Sequence, residues 1–186
     1  MAPLLQTTEL AVSFGGVRAL DGVDLVVEPG RLVGLIGPNG AGKSTFIDAV
    51  TGFVASTGRV EFAGRDISGA PAYRRARAGL GRTWQTVELF DDLTVAENLR
   101  VAAEPSRLGW AVADLLRPRR RGAEARVEVA LARVDLAGVA DLLPNRLSQG
   151  QRKLVGVARA FAAEPALVCL DEPAAGLDPA ESSALG

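Results

Sequence analysis

Gly37-Pro38-Asn39-Gly40-Ala41-Gly42-Lys43-Ser44-Thr45 governs the expected architecture, because its first eight residues fit the pattern G-x-x-x-x-G-K-[ST]. Glycines let such a loop turn tightly and direct its N–H groups at phosphate oxygens. The apolar run 32–36 before it predicts a strand buried on both faces, and the residues after it predict a helix ending near Gly52. In this setting Lys43 can reach the β- and γ-phosphates, and the Ser44 hydroxyl can ligate Mg²⁺.

Composition limits the remaining possibilities. The 186 residues suit one domain with a subdomain inserted, and a hydrophobic share of 48% is enough for a sizeable core. A net charge of -1 argues against a broad nucleic-acid footprint, and the absence of histidine excludes histidine-based catalysis. No run approaches the ~18–20 apolar residues of a spanning helix, so we expect any membrane role to need a partner.

A second candidate site lies at the end of an apolar run, where Leu167-Val168-Cys169-Leu170 leads into Asp171-Glu172. A buried strand would deliver both carboxylates at its C-terminal end, where ligands bind in open α/β sheets. We assign Asp171 to Mg²⁺, through water, and Glu172 to orienting or deprotonating the attacking water. Cys169 lies within the apolar run and is interpreted as a small core residue.

The middle of the chain has a helical texture. Thr94 and Glu97 fit a capping box that opens a helix through about residue 103, and further helices are predicted over 122–134 and 147–163. Strands are predicted over 4–14, 23–27 and 60–62. The basic run 117–121 fits a solvated turn better than a site for acidic lipids or a partner. Ser148, in Leu147-Ser148-Gln149-Gly150-Gln151, can cap its helix or mark an anion-binding end.

Together these segments resemble the ATP-binding cassette (ABC) ATPases. Residues 37–45 match the Walker A motif, 167–172 the Walker B motif and 147–151 the signature motif. Gln85 matches the glutamine of the Q-loop and Asp178 the aspartate of the D-loop. Phe14 matches the aromatic residue that stacks on adenine. The resemblance implies an α/β P-loop NTPase fold with an antiparallel β subdomain and an inserted helical subdomain. It divides the chain into an ATP-binding core, 1–85 with 147–186, and a helical subdomain, 86–146.

The resemblance also implies a mechanism that uses ATP and Mg²⁺. Two such subunits pair head-to-tail, so that Ser148 and Gly150, with Gln149 and Gln151 beside them, face the ATP held by the partner's Walker A motif. Gln85 would sense Mg²⁺ and the attacking water. The helical subdomain would grip membrane permease subunits at the cytoplasmic face, and a solute-binding protein outside the membrane would take part indirectly.

Within the family, segments 81–85, 89–90, 93–99 and 171–177 resemble the importers of branched-chain amino acids. Two alternatives remain open: an ABC ATPase for lipid or polysaccharide export, and a nucleotide-binding fragment that does not hydrolyse ATP. A soluble ABC protein acting on ribosomes or DNA is less favoured, because such proteins usually carry two cassettes or long coiled-coil insertions.

Two departures from the family pattern are visible. Gln149 replaces the first glycine of the signature motif, so its side chain must point away from the nucleotide. Family members continue for some tens of residues past the D-loop, through a histidine and at least two more strands. We therefore expect the last core strands to be missing, the chain to be incomplete, and the isolated 186 residues to hydrolyse ATP weakly or not at all.

Overall fold

The computed structural model describes residues 2–84, 88–104 and 120–176. The chain forms two compact units that meet in sequence between Leu80 and Gly81, and each is described by itself. The predicted division into a core (1–85 with 147–186) and a helical subdomain (86–146) stays a prediction.

The first unit contains an antiparallel sheet with strand order β2-β1-β3-β4. Its strands are β1 (Leu5–Phe14), β2 (Val17–Val27), β3 (Thr57–Phe62) and β4 (Arg65–Asp66). Gly15 and Gly16, both with positive φ, connect β1 to β2. Inward-facing side chains of β1, such as Leu10 and Val12, join the core, as the alternation of apolar residues predicts.

Two helices complete the first unit: α1 (Lys43–Thr51) and α2 (Ala72–Arg77). The sequence predicts α1 well, and it ends at Gly52, which adopts the left-handed conformation (φ 83°) typical of a C-terminal glycine. Phe46, Ile47 and Val50 face the core. The short helix α2 was not predicted.

Arg75 of α2 joins the C-terminal end of α1 to the segment before α2. Its side chain is only 3% exposed, and it donates hydrogen bonds to the carbonyl oxygens of Ala49 (2.9 Å), Val50 (2.8 Å), Ser68 (2.7 Å) and Ala70 (2.8 Å). Burial lowers the pKa of the guanidinium. Because the last carbonyls of a helix have no partner within the helix, Arg75 supplies donors where α1 needs them.

The prediction of a buried strand over 32–36 is wrong. These residues lie outside the strands of the described chain, and Leu32 and Ile36 are 97% and 99% exposed. An apolar run becomes a strand only where a neighbouring strand supplies hydrogen bonds and a packing face. Neither sheet of the described residues pairs with this segment.

The second unit packs three helices together: α3 (Val95–Ala103), α4 (Arg120–Ala132) and α5 (Gln149–Ala162). Their apolar faces form one core that includes Leu99, Val127 and Val155. Short 3₁₀ turns, Ala137–Val139 and Pro144–Arg146, connect α4 to α5. A two-stranded sheet pairs β5 (Leu80–Arg82) with β6 (Leu167–Cys169). Within the described ranges, no helix has both the length and the apolar character needed to cross a membrane.

Buried Asn98 fixes the chain that leads into α3. Its amide oxygen accepts a hydrogen bond from the Phe90 N–H (2.8 Å). Its amide nitrogen donates to the carbonyl oxygens of Phe90, Leu93 and Thr94 at 3.0–3.1 Å. Thr94 and Glu97 form the predicted capping box at the start of α3. The turn before α3 is therefore held by side-chain bonds to its backbone.

Candidate nucleotide-binding site

The loop before α1 is closed by its own lysine. The ammonium group of Lys43 donates to the carbonyl oxygens of Gly37 (2.8 Å) and Pro38 (2.9 Å), and the Ala41 N–H donates to Pro38 O (3.2 Å). The lysine thus bridges the two ends of the loop. Since these carbonyl oxygens accept hydrogen bonds from the Lys43 ammonium group, an anion would bind to the N–H groups of the loop.

Two positions in this loop need glycine. Gly40 and Gly42 have φ of 82° and 85°, a conformation that side chains disfavour. A Cβ at Gly42 would also lie 2.7 Å from the Ala19 carbonyl oxygen and 2.8 Å from Leu20 Cδ2 on β2. The start of α1 therefore packs directly against the sheet at a position where only glycine fits.

The N-terminal end of α1 is suited to phosphate. Gly42 is the N-cap, and the first turn of α1 contains no acidic side chain. The first N–H groups of a helix lack intrahelical partners, and they carry the positive end of its dipole. Residues 37–41 are exposed, while Ser44 and Thr45 in the first turn are half-buried. This end of the helix combines open access with hydrogen-bond donors, as phosphate binding requires.

Phe14, the predicted adenine-stacking residue, ends β1 at the turn to β2. Its side chain is 52% exposed, and its neighbour across the hairpin is the exposed Val17. An exposed aromatic ring at a hairpin end offers a flat apolar surface to a planar ligand.

The predicted pair of carboxylates lies just past β6 in the second unit. Asp171 is buried and its backbone N–H donates to Thr83 Oγ1 (3.2 Å), while the Thr83 N–H donates to Cys169 O (3.0 Å). Glu172 is exposed and has a positive φ of 47°. Such backbone strain is costly outside glycine and clusters at functional sites. The two carboxylates therefore differ in exposure, and their assignment to metal and to water stays a prediction.

Cys169 lies in β6 and is half-buried. Burial raises the pKa of Cys169 to about 11, against a partial opposing effect of the Arg82 guanidinium. The thiolate is the reactive form of cysteine, so this pKa suppresses modification at neutral pH. Cys169 is half-buried and lies outside the buried core, so the interpretation of it as a small core residue is wrong, while its raised pKa fits an unreactive thiol.

Alkylation of Cys169 tests this burial. A pKa of about 11 in place of 9.0 leaves roughly 100-fold less thiolate at pH 8. We expect iodoacetamide to modify the native chain at least ~50-fold more slowly than the same chain in guanidinium chloride. Mass spectrometry over time gives both rates, and Cys169 is the only cysteine of the sequence. Equal rates in the two conditions would contradict a buried thiol.

Ser148 is the N-cap of α5. Its hydroxyl oxygen accepts the Gln151 N–H (3.0 Å), and the Gln151 side chain accepts the Ser148 N–H (2.9 Å), which completes a capping box. Gln149 is exposed, whereas Gly150 is buried. The cap and an anion-binding end are compatible, because a hydroxyl that accepts one hydrogen bond can also donate one.

Two predicted site residues, Gln85 and Asp178, lie outside the described residues. The structure adds two others beside the carboxylates: Thr83, through its bond to Asp171, and Lys153, whose ammonium donates to the Ala175 carbonyl oxygen. Sequence analysis missed both. One feature of the sequence could have pointed to Lys153: the chain contains only one other lysine, Lys43.

A glycine loop closed by lysine at a helix N-terminus, with a strand that ends in two carboxylates, defines the class of P-loop nucleotide-binding proteins. The sequence profile of the ABC transporter family matches residues 20–175. The chain therefore belongs to the ABC transporter family, and it is an ATPase of that family.

Several curated proteins are similar over nearly the whole chain. The high-affinity branched-chain amino acid transport ATP-binding protein BraF of Pseudomonas aeruginosa is 39% identical over 98% of this chain and 74% of its own length. The corresponding protein LivG of Escherichia coli K12 is 38% identical over the same shares. The chain spans about three quarters of the length of these relatives.

Solved structures show the same fold. A nucleotide-free ATP-binding cassette from an ABC transporter superposes with a TM-score of 0.82 at 32% identity, over 99% of this chain and 74% of that one. The ADP conformation of the cassette MJ1267 gives 0.81 at 33% identity, over 100% of this chain and 74% of that one. The predicted fold class, an ABC-type nucleotide-binding domain, is confirmed.

Proposed function

We propose that this chain is the ATP-binding and ATP-hydrolysing subunit of an importer for branched-chain amino acids or similar small solutes. The observation that carries the proposal is the loop of residues 37–45, closed by Lys43 onto Gly37 and Pro38 at the N-terminal end of α1. The solute class is supported by the names of BraF and LivG and by their 38–39% identity.

In this proposal residues 37–45 hold the phosphates of ATP, and Phe14 stacks on adenine. The N–H groups of the loop and of the first turn of α1 point to phosphate oxygens, while Lys43 keeps its bonds to the loop and adds its charge. Phe14 belongs to the same unit and ends a strand of the sheet that packs against Gly42.

Mg²⁺ would be held by the Ser44 hydroxyl, the Asp171 carboxylate and the Gln85 amide, all oxygen donors of the kind that Mg²⁺ prefers. Within the described ranges, no group of three His, Cys, Asp or Glu side chains could hold a metal alone. Mg²⁺ usually keeps several waters and binds through one or two protein oxygens plus substrate phosphates. When bound, it would neutralise the charge that develops on the phosphates.

Glu172 is the residue we assign to the attacking water. Its carboxylate is exposed and follows the buried Asp171 by one position, so one turn presents both groups. Glu172 would accept a proton from water or hold that water in line with the γ-phosphate. Gln85 would align the same water.

A second subunit would complete the site. Ser148 and Gly150 at the N-terminal end of α5, with Gln149 and Gln151 beside them, would meet the γ-phosphate held by the partner, and Asp178 would lie at the dimer contact. Membrane permease subunits would receive the resulting motion, so the chain would act peripherally at the cytoplasmic face. An external solute-binding protein would join the system indirectly, and no nucleic acid is involved.

Uptake measurements test the proposal. In the source cell, a strain lacking this chain should lose ATP-dependent uptake of labelled leucine, and the wild-type gene should restore it. The matched variant Lys43→Ala should fail to restore uptake, because it removes the charge and the loop closure together. Unchanged leucine uptake with altered surface lipid or polysaccharide would favour an exporter. Uptake fully supported by Lys43→Ala would contradict the whole proposal.

A further inference from the structure

The segment that contains Glu172 is fastened at both ends by side chains of its own unit. At its start the Asp171 N–H donates to Thr83 Oγ1 (3.2 Å), and both residues are buried. At its end the ammonium group of Lys153, on α5, donates to the Ala175 carbonyl oxygen. Between these points the Ala175 N–H donates to Glu172 O (3.1 Å), which forms a turn.

The fastening by Lys153 matters because the segment does not pack tightly against α5. A cavity of about 120 Å³ is lined by Lys153, Gly156 and Val157 on α5 and by residues of the segment, including Asp171, Glu172 and Ala175. On this side the segment faces an open space large enough for water, and the bond from Lys153 to Ala175 joins its two walls. The polar bond of Lys153 therefore has to supply part of the missing restraint.

Glu172 is the residue that most needs this restraint. Its φ of 47° places a non-glycine residue in the left-handed region, which costs of order 1–3 kcal/mol and persists only where the surroundings enforce it. Ala175 and Gly176 are exposed, and Gly176 also has a positive φ (73°). Without an anchor at Ala175, this exposed turn could relax toward ordinary backbone angles and carry the Glu172 carboxylate with it.

We propose that Lys153 is a positioning residue that holds the backbone of Glu172 in its strained conformation by anchoring the carbonyl group of Ala175 to α5. The proposal rests on the assignment of Glu172 to the attacking water. Lys153 lies in the second turn of the helix that Ser148 caps, so α5 joins the predicted signature motif to the segment of Glu172 within one subunit.

Three variants of the full chain separate this role from a structural one. Lys153→Met keeps most of the side-chain length and removes the donor, Lys153→Arg keeps a charged donor, and Arg152→Met removes a neighbouring charge. Arg152 pairs with Asp91 at 3.6 Å, and both side chains are partly exposed. Each variant is compared with wild type by thermal unfolding, steady-state hydrolysis of Mg-ATP, equilibrium binding of ATP, and hydrogen exchange of a peptide that covers residues 171–176.

We expect Lys153→Met to exchange the 171–176 amides at least ~5-fold faster and to lower kcat about 10-fold, with the Kd for ATP within about twofold of wild type. Lys153→Arg should restore most of the slow exchange and most of kcat. Arg152→Met should change neither the exchange rate nor kcat. Unaltered exchange in Lys153→Met overturns the proposal, and so does faster exchange with an unchanged kcat. Because the isolated 186 residues are expected to hydrolyse ATP weakly or not at all, kcat is measured on the transporter assembled with its permease subunits. If wild type shows no turnover there, the proposed function fails, while the exchange comparison still decides whether Lys153 holds the segment.

Discussion

Glu172→Gln should reduce the kcat for ATP hydrolysis by roughly 100- to 10,000-fold, the usual loss when a general base is removed. The amide keeps the size of the side chain and cannot accept a proton from water. Binding of ATP should persist, with Kd within about threefold, because the phosphate loop belongs to residues 37–45 and is unaltered. Steady-state phosphate release by the transporter assembled with its permease subunits and binding of a fluorescent ATP analogue measure the two quantities.

A matched control for this substitution is Glu124→Gln, at an exposed position of α4. It changes the net charge equally and should leave both kcat and Kd at wild-type values. A Glu172→Gln variant that retains more than a tenth of wild-type turnover would exclude Glu172 as the base. Loss of ATP binding in the same variant would instead indicate damage to the fold.

Arg75→Met should destabilise the chain by about 2–4 kcal/mol, because it leaves buried carbonyl oxygens without a donor and each such group costs about 1–3 kcal/mol. Methionine fills much of the space but offers no donors to the carbonyl groups at the end of α1 and before α2. The Ala49 carbonyl keeps the Gly52 N–H as a donor (3.2 Å), so the loss falls mainly on Val50, Ser68 and Ala70. Typical stabilities are only about 5–15 kcal/mol, so a large share of the protein could unfold.

The matched control is Arg74→Met on the same helix, where the side chain is exposed and lies over the Tyr73 ring at 5.9 Å. We expect its effect to stay within about 0.5 kcal/mol, as for most surface substitutions. Urea titration monitored by circular dichroism gives both free energies of unfolding. Similar midpoints for Arg75→Met and Arg74→Met would mean that the bonds of Arg75 contribute little.

Features set by neighbours in sequence were predicted well. The phosphate loop, the Gly52 end of α1 and the capping box of Thr94 and Glu97 each depend on residues within one or two turns of chain. The Ser148 cap was predicted as one of two possibilities, and the structure contains it. The pair Asp171 and Glu172 was located from the strand before it, although β6 is shorter than predicted and half-buried where a buried strand was expected.

Features set by distant partners were not predictable in this way. Arg75 looks like one of several arginines of α2, and only the carbonyl groups of α1, about 25 residues earlier, distinguish it. The failure at residues 32–36 has the same origin, because a strand depends on a neighbour that the run itself does not specify. Lys153 likewise acquires its role from Ala175, which lies 22 residues later.

The tight packing of Gly42 against Ala19 and Leu20 has a thermodynamic consequence for ligand capture. Since Gly42 at the start of α1 packs against β2, the conformational entropy of this end of the loop is lost on folding and not again when nucleotide binds. Linkage makes this reciprocal: any ligand that prefers the ordered loop must also stabilise the β1–β2 hairpin. The stability of the antiparallel sheet and the affinity of the loop for nucleotide are therefore linked. The fraction of molecules with a folded hairpin limits the apparent affinity for nucleotide.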